Sequence, residues 1–132
     1  MKKNFKVLLV EDRPMAIEVI LWGIEVRLSI AEQEASAINV LVAETIPQAE
    51  ELFAANPDID AVLMDACVPG IEPNTEPLVK KMRERSAGLD IIAISDRKEY
   101  RERLMQAGCN HEVDDDGKRR APKKLLEVLG LL

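Results

Sequence analysis

The sequence predicts an α/β fold, a doubly wound parallel sheet with helices on both faces, and three observations carry that expectation. Apolar runs recur without polar alternation, as in Val7-Leu8-Leu9-Val10, Ala61-Val62-Leu63-Met64 and Ile91-Ile92-Ala93-Ile94; such runs suit strands buried on both sides. Each is followed by a stretch whose apolar residues return at helical spacing, and strands alternating with helices call for right-handed crossovers and parallel pairing. The runs also end abruptly in polar residues, Glu11-Asp12, Asp65 and Ser95. In open α/β sheets that carboxyl edge is where ligands bind, because the loops there diverge and leave a crevice.

The first strand is Lys6-Val7-Leu8-Leu9-Val10. Pro14 suits the first turn of a helix, where a missing N–H is harmless, and Ile17, Leu21, Ile24 and Leu28 form its inward stripe. This helix extends to about residue 34. At about 100° per residue, Val19, Trp22, Val26 and Ile30 fall on the opposite face, with Glu18, Glu25 and Arg27 between the stripes. Two readings of that second stripe stand: flanking helices cover part of it, or it is a contact surface for a second copy of the chain or another partner.

Residues Ala37 to Ala43 read as the second strand. Thr45, with Pro47 in the first turn and Gln48 three residues on, is a capping-box start for a helix that turns Ala49, Leu52 and Phe53 inward and ends at Asn56-Pro57-Asp58. The third strand carries Asp65 at its tip, stopped by Pro69-Gly70. Thr75-Glu76-Pro77 opens the third helix, with Leu78 and Met82 facing in and Gly88 at its end. The fourth strand, Ile91 to Ser95, leads to a helix capped by Asp96, with Glu99 at the capping-box position, Tyr100, Leu104 and Ala107 inward, and Gly108 at its close. A weaker strand near Cys109 to Val113 and a last helix from about Pro122 complete the alternation.

At 132 residues the chain has the length of one domain with a real core, and residues 1–132 read as a single unit. A net charge of -6 excludes direct wrapping of nucleic acid, which needs a surplus of Lys and Arg. The start, Met1-Lys2-Lys3-Asn4, runs straight into a strand without the apolar core of a signal peptide, and no window matches a membrane span. Cys67 and Cys109 belong to no CxxC pair and read as thiols of a reducing, cytoplasmic compartment. His111, the sole histidine, has no nucleophile in motif context and reads as a surface or strand residue.

The carboxyl edge thus gathers Glu11, Asp12, Asp65 and Ser95. Crowded carboxylates repel one another unless something positive joins them, and Mg²⁺, which takes carboxylates, a carbonyl and waters, would resolve the conflict. A metal beside Asp65 would also shield an incoming phosphoryl group. Ser95 could donate to one phosphoryl oxygen and a Lys could pair with another. Singly, each acid is more often a helix cap or a surface residue; their joint arrival at one edge makes function the better reading.

These residues carry a resemblance. Val7-Leu8-Leu9-Val10-Glu11-Asp12, Leu63-Met64-Asp65 with Pro69 four residues on, Ile94-Ser95 and Ala107-Gly108 resemble, in order and spacing, the receiver domain of two-component response regulators (CheY-like), over essentially the whole chain. The resemblance implies a flavodoxin-like strand order 2-1-3-4-5, Asp65 as phosphoacceptor, Glu11 and Asp12 as Mg²⁺ residues with the Cys67 backbone carbonyl as a further ligand, and Ser95 as the switch hydroxyl. It also implies a sensor histidine kinase or histidine phosphotransfer protein as partner.

The chain departs from that pattern after strand five, where the family places a Lys and, on the strand, an aromatic residue. Counting forward from Gly108 puts the lysine position at Asp115 and the aromatic at Glu112; counting back from Leu125-Leu126 puts the lysine at Lys118, with extra loop residues in Asp114-Asp115-Asp116-Gly117. Lys118 is preferred, because an edge with more aspartates and no cation would repel phosphate. Against it, Lys118, Arg119, Arg120, Lys123 and Lys124 could be a solvated basic turn. Tyr100 is the candidate substitute for the absent aromatic.

The expected function is a phosphoryl-accepting switch whose product is a signal, either a stand-alone receiver or part of a longer protein. The alternative is a degenerate receiver that docks partners without phosphorylation, through the Val19, Trp22, Val26 and Ile30 stripe, as a homodimer or with another protein. A small phosphohydrolase is disfavoured because Cys67 stands where such enzymes commonly carry a second acid, and a P-loop enzyme is excluded by the lack of GxxxxGK[ST].

Overall fold

The computed structural model describes residues 4–32 and 36–132. Its elements are β1 (Asn4–Val10), α1 (Pro14–Ile30), β2 (Ala37–Ala43), α2 (Ile46–Ala55), β3 (Ala61–Met64), α3 (Glu76–Arg85), β4 (Asp90–Ala93), α4 (Lys98–Ala107), β5 (His111–Glu112) and α5 (Ala121–Val128), with a 3₁₀ turn at Gly117–Arg119. The five strands are parallel and ordered β2-β1-β3-β4-β5, the flavodoxin-like order.

Strand side chains alternate between two cores, which is why the apolar runs are continuous. Leu8, Val10, Val62, Met64, Ile91 and Ala93 pack under α2, α3 and α4 with Leu78, Met82 and Leu104. Val7, Leu9, Ala61, Leu63, Ile92 and Ile94 pack on the other side with Ile20 and Ile24 of α1 and Leu125 of α5. Register aligns the strand ends: Val10 pairs with both Ala43 and Met64, and Met64 pairs with Ala93. Residues that follow those positions therefore emerge together at one edge.

Several local expectations shift. The inward stripe of α1 runs through Ile17, Ile20, Ile24 and Leu28, with Gly23 close to Pro122 of α5; the expected Leu21 is half-buried and is replaced by Ile20 in the core. The helix ends at Ile30, and residues 33–34 of its expected tail lie outside the described residues. On its outer face Val19, Trp22 and Ile30 are exposed and Val26 is half-buried. The capping box of α2 forms, with Thr45 Oγ1 accepting from Gln48 N at 3.2 Å, but Gln48 Oε1 reaches Glu44 N at 2.8 Å rather than Thr45 N.

α3 closes at Ser86, two residues before Gly88, and the Arg83 guanidinium takes the carbonyls of Ser86, Ala87, Leu89 and Gly108. Asp96 does not cap α4: the helix starts one residue later, behind Arg97, and Asp96 Oδ1 instead accepts from Lys118 N at 3.3 Å. Glu99 pairs with Arg97 Nε at 2.8 Å. His111 lies on β5 with Nε2 2.9 Å from Asp90 Oδ1. No helix among the described residues is long and apolar enough to cross a membrane.

Candidate functional site

Three backbone bonds carry the sheet past its last paired residues: Glu11 N donates to Ala43 O at 3.0 Å, Asp65 N to Val10 O at 3.1 Å, and Ile94 N to Met64 O at 3.0 Å. The sheet itself holds Glu11 and Asp65, Ser95 follows one residue beyond the last of these bonds, and all three are buried. Carboxylate oxygens of Glu11, Asp12 and Asp65 lie within 4.8 Å of one another. Thr75, expected only as the start of α3, makes no side-chain cap there and instead fixes the Asp65 end of the site: its buried hydroxyl donates to Asp65 O at 2.7 Å. A Thr ten residues after the acid carries no local signal for that role.

Lys118 brings a cation into this cluster. Lys118 Nζ lies 2.6 Å from Glu11 Oε1 and 3.5 Å from Asp65 Oδ1. Asp115, the alternative position, lies outside: its side chain is 84% exposed and its Oδ1 takes Arg101 Nη2 at 2.7 Å. The 3₁₀ turn explains the difference. The loop after β5 runs outward through Asp114 to Asp116, then reverses at Gly117, whose φ is +57°. A Cβ at Gly117 would fall 1.7 Å from Asp96 Oδ1, so glycine is what lets the chain come close enough to turn Lys118 inward.

The electrostatics follow from this packing. Burial, and then the Asp65 charge, raise the Glu11 pKa to about 7 against the pull of Lys118. Burial works to lower the Lys118 pKa, but Asp65 and Glu11 outweigh it and the net shift is upward. Burial and the Asp65 charge also push the Cys67 thiol up, which keeps it protonated at neutral pH.

A cavity of about 150 Å³ opens over the cluster, lined by Arg13, Asp65, Cys67, Ser95, Tyr100 and Lys118. Ser95 Oγ accepts from Arg97 N at 3.2 Å, which leaves its own proton for another acceptor. Tyr100 stands at the mouth with the Arg97 guanidinium 4.9 Å above its ring. Among the described residues, Glu11 Oε2 and Asp12 Oδ1 are buried without a hydrogen-bond partner, while Asp12 Oδ2 accepts from Gly70 N at 3.3 Å. Convergent carboxylates with unpartnered buried oxygens are a donor set that fits a hard divalent cation. Beside them, the Lys118 ammonium near Asp65, and a serine that lines the same cavity, suit the binding of a tetrahedral oxyanion at that aspartate.

No family model matches the sequence, and no curated protein does. Among solved structures the chain is similar to an orphan response regulator of H. pylori, at 16% identity over 98% of this chain and 99% of that one, with a TM-score of 0.71. It is similar to a CheY-like response regulator receiver domain protein from Methanospirillum hungatei, at 18% identity over 96% and 91%, with a TM-score of 0.68. The receiver domain of the Francisella response regulator 1452 matches at 21% identity over 97% and 96%, with a TM-score of 0.66. The fold is that of the CheY-like receivers of response regulators.

Proposed function

We propose that the chain is a response-regulator receiver that accepts a phosphoryl group on Asp65 from the phosphohistidine of a sensor histidine kinase or phosphotransfer protein, in a Mg²⁺-dependent step. The observation that carries the reading is the convergence of Lys118, Ser95 and Asp65 on one small cavity beside the Glu11 and Asp12 carboxylates. An Asp65 carboxylate oxygen attacks phosphorus, the P–N bond breaks, and its electron pair leaves with the donor's imidazole. Lys118 pairs with one phosphoryl oxygen, and the Ser95 hydroxyl donates to another. Glu11, Asp12, Asp65 and the Cys67 carbonyl would hold the cation, which when bound shields the charge between carboxylate and phosphoryl oxygens. The buried Cys67 thiol, kept protonated, adds no competing negative charge. The product is an aspartyl phosphate that acts as a signal in a phosphorelay.

A phosphorylation-independent interaction module, as a homodimer or with another protein, is the second reading. The exposed face of α1 at Val19, Trp22 and Ile30 favours it. Titration of the purified chain with beryllofluoride, which mimics an aspartyl phosphate and needs no known kinase, separates the two. The receiver reading expects saturable, Mg²⁺-dependent amide shifts around Asp65 and Ser95 that vanish in Asp65→Asn. Mg²⁺ binding without any beryllofluoride response would overturn it in favour of the second.

A further inference from the structure

Arg101 is a buried cation with no part in the chemistry above. It lies on the sheet-facing side of α4, three residues before Leu104, and is 3% exposed. Burying a guanidinium is costly unless acceptors take its protons. Nη1 donates to the Ser95 carbonyl at 2.9 Å, and Nη2 donates to Asp115 Oδ1 at 2.7 Å. The two acceptors belong to segments far apart in sequence. Ser95 follows β4 and presents its hydroxyl to the cavity, whereas Asp115 lies in the loop that carries Lys118.

Those segments meet a second time where Asp96 accepts from Lys118 N and packs against Gly117. The Arg101 contact and the Asp96 contact therefore act as two struts between the β4–α4 connection and the β5–α5 loop. An arginine suits the first strut because its planar fork can serve two acceptors at fixed spacing, which an ammonium cannot do. Nε finds no acceptor among the described residues, so the arrangement persists despite one unsatisfied buried donor.

We propose that Arg101 is a positioning residue whose guanidinium ties the Ser95 carbonyl to Asp115, and so holds the Ser95 hydroxyl and the Lys118 ammonium as one unit facing Asp65. The tie is a property of the fold; its effect on phosphoryl binding rests on the receiver reading. Without it, the loop after β5 keeps only the Asp96 strut, and Lys118 samples positions away from Asp65. The cation-binding carboxylates, held by the sheet, do not depend on it.

The test uses Arg101→Met, Arg101→Lys and Asp115→Ala, each alone and with Lys118→Ala. Asp115 is a surface side chain, so Asp115→Ala, which removes the acceptor, keeps the test valid even if replacing the buried arginine prevents folding. Mg²⁺ affinity should stay within about twofold of the unmodified protein, while Mg²⁺-dependent beryllofluoride affinity falls about tenfold and the fall disappears in the Lys118→Ala background. Arg101→Lys should fail to rescue, which separates geometry from charge. Amide exchange at residues 95–97 and 115–118 should rise about tenfold in Asp115→Ala. A beryllofluoride loss that simply adds to that of Lys118→Ala, or unchanged exchange in both segments, would overturn the proposal. If the unmodified chain never responds to beryllofluoride, the receiver reading fails, and the exchange measurement alone decides the tie.

Discussion

Glu11 has no exposed surface, and its carboxyl, next to Asp65, titrates at about 7 where an ordinary glutamate has 4.5. A folded-state pKa above the unfolded value means the folded protein holds its proton more tightly. That contribution to stability is present below pH 4.5 and is lost as pH rises through about 7. A divalent cation needs the ionised carboxylate, so binding expels the proton over the same window. Mg²⁺ affinity measured by calorimetry should therefore be about 25-fold weaker at about pH 5.5 than at about pH 7.5, with proton release into the buffer near neutrality. Glu11→Gln should flatten that dependence; a pH-independent affinity in the unmodified protein would contradict the assignment of Glu11 to the cation. Lys118 shifts upward, so its charge is retained across this range and does not confuse the measurement.

Elements meet through two glycines whose replacement should act differently. On α1, a Cβ at Gly23 would stand 2.5 Å from Pro122 Cγ of α5. Alanine in a helix interior normally gains about 1 kcal/mol over glycine, but a methyl forced against a packed ring costs about 1–3 kcal/mol. The clash should win: Gly23→Ala is expected to lose about 1 kcal/mol in urea unfolding, with beryllofluoride binding unchanged. Gly117→Ala combines the φ of +57° with the contact to Asp96 Oδ1. It should cost about 1–3 kcal/mol and weaken beryllofluoride more than Mg²⁺, because the 3₁₀ turn carries Lys118 and not the carboxylates. Equal effects on both ligands would show that the turn only supports the fold.

For the whole molecule, the outer face of α1 leaves apolar side chains uncovered by either core. Trp22 is 68% exposed and Ile30 69%, and Leu21 adds half-buried apolar surface beside them. Because Trp22 stands outside both cores, Trp22→Glu should change unfolding free energy by less than about 0.5 kcal/mol. An effect of that variant on sedimentation or on donor-protein binding would mark the face as an interface. Unchanged behaviour in both would leave it as ordinary exposed apolar surface. A net charge of -6 also predicts that any self-association strengthens with salt.

The α/β class, the parallel sheet and the meeting of Glu11, Asp12 and Asp65 were legible in the sequence, because each rests on local periodicity. A buried strand shows as an apolar run, and parallel register then delivers whatever follows Val10 and Met64 to the same edge. The strand order came from resemblance rather than from the residues. What only the tertiary structure decided lies in segments with no period to read. The loop after β5 allowed two counts, Asp115 and Lys118, between which only the sign of the charge spoke for Lys118, and Asp96 looked like a helix cap. Their places depend on contacts across the fold, Lys118 with Glu11, Asp96 with Lys118 and Arg101 with Asp115. Such contacts join residues that no helical or strand period relates, so their geometry exists only once the sheet has brought its loops together.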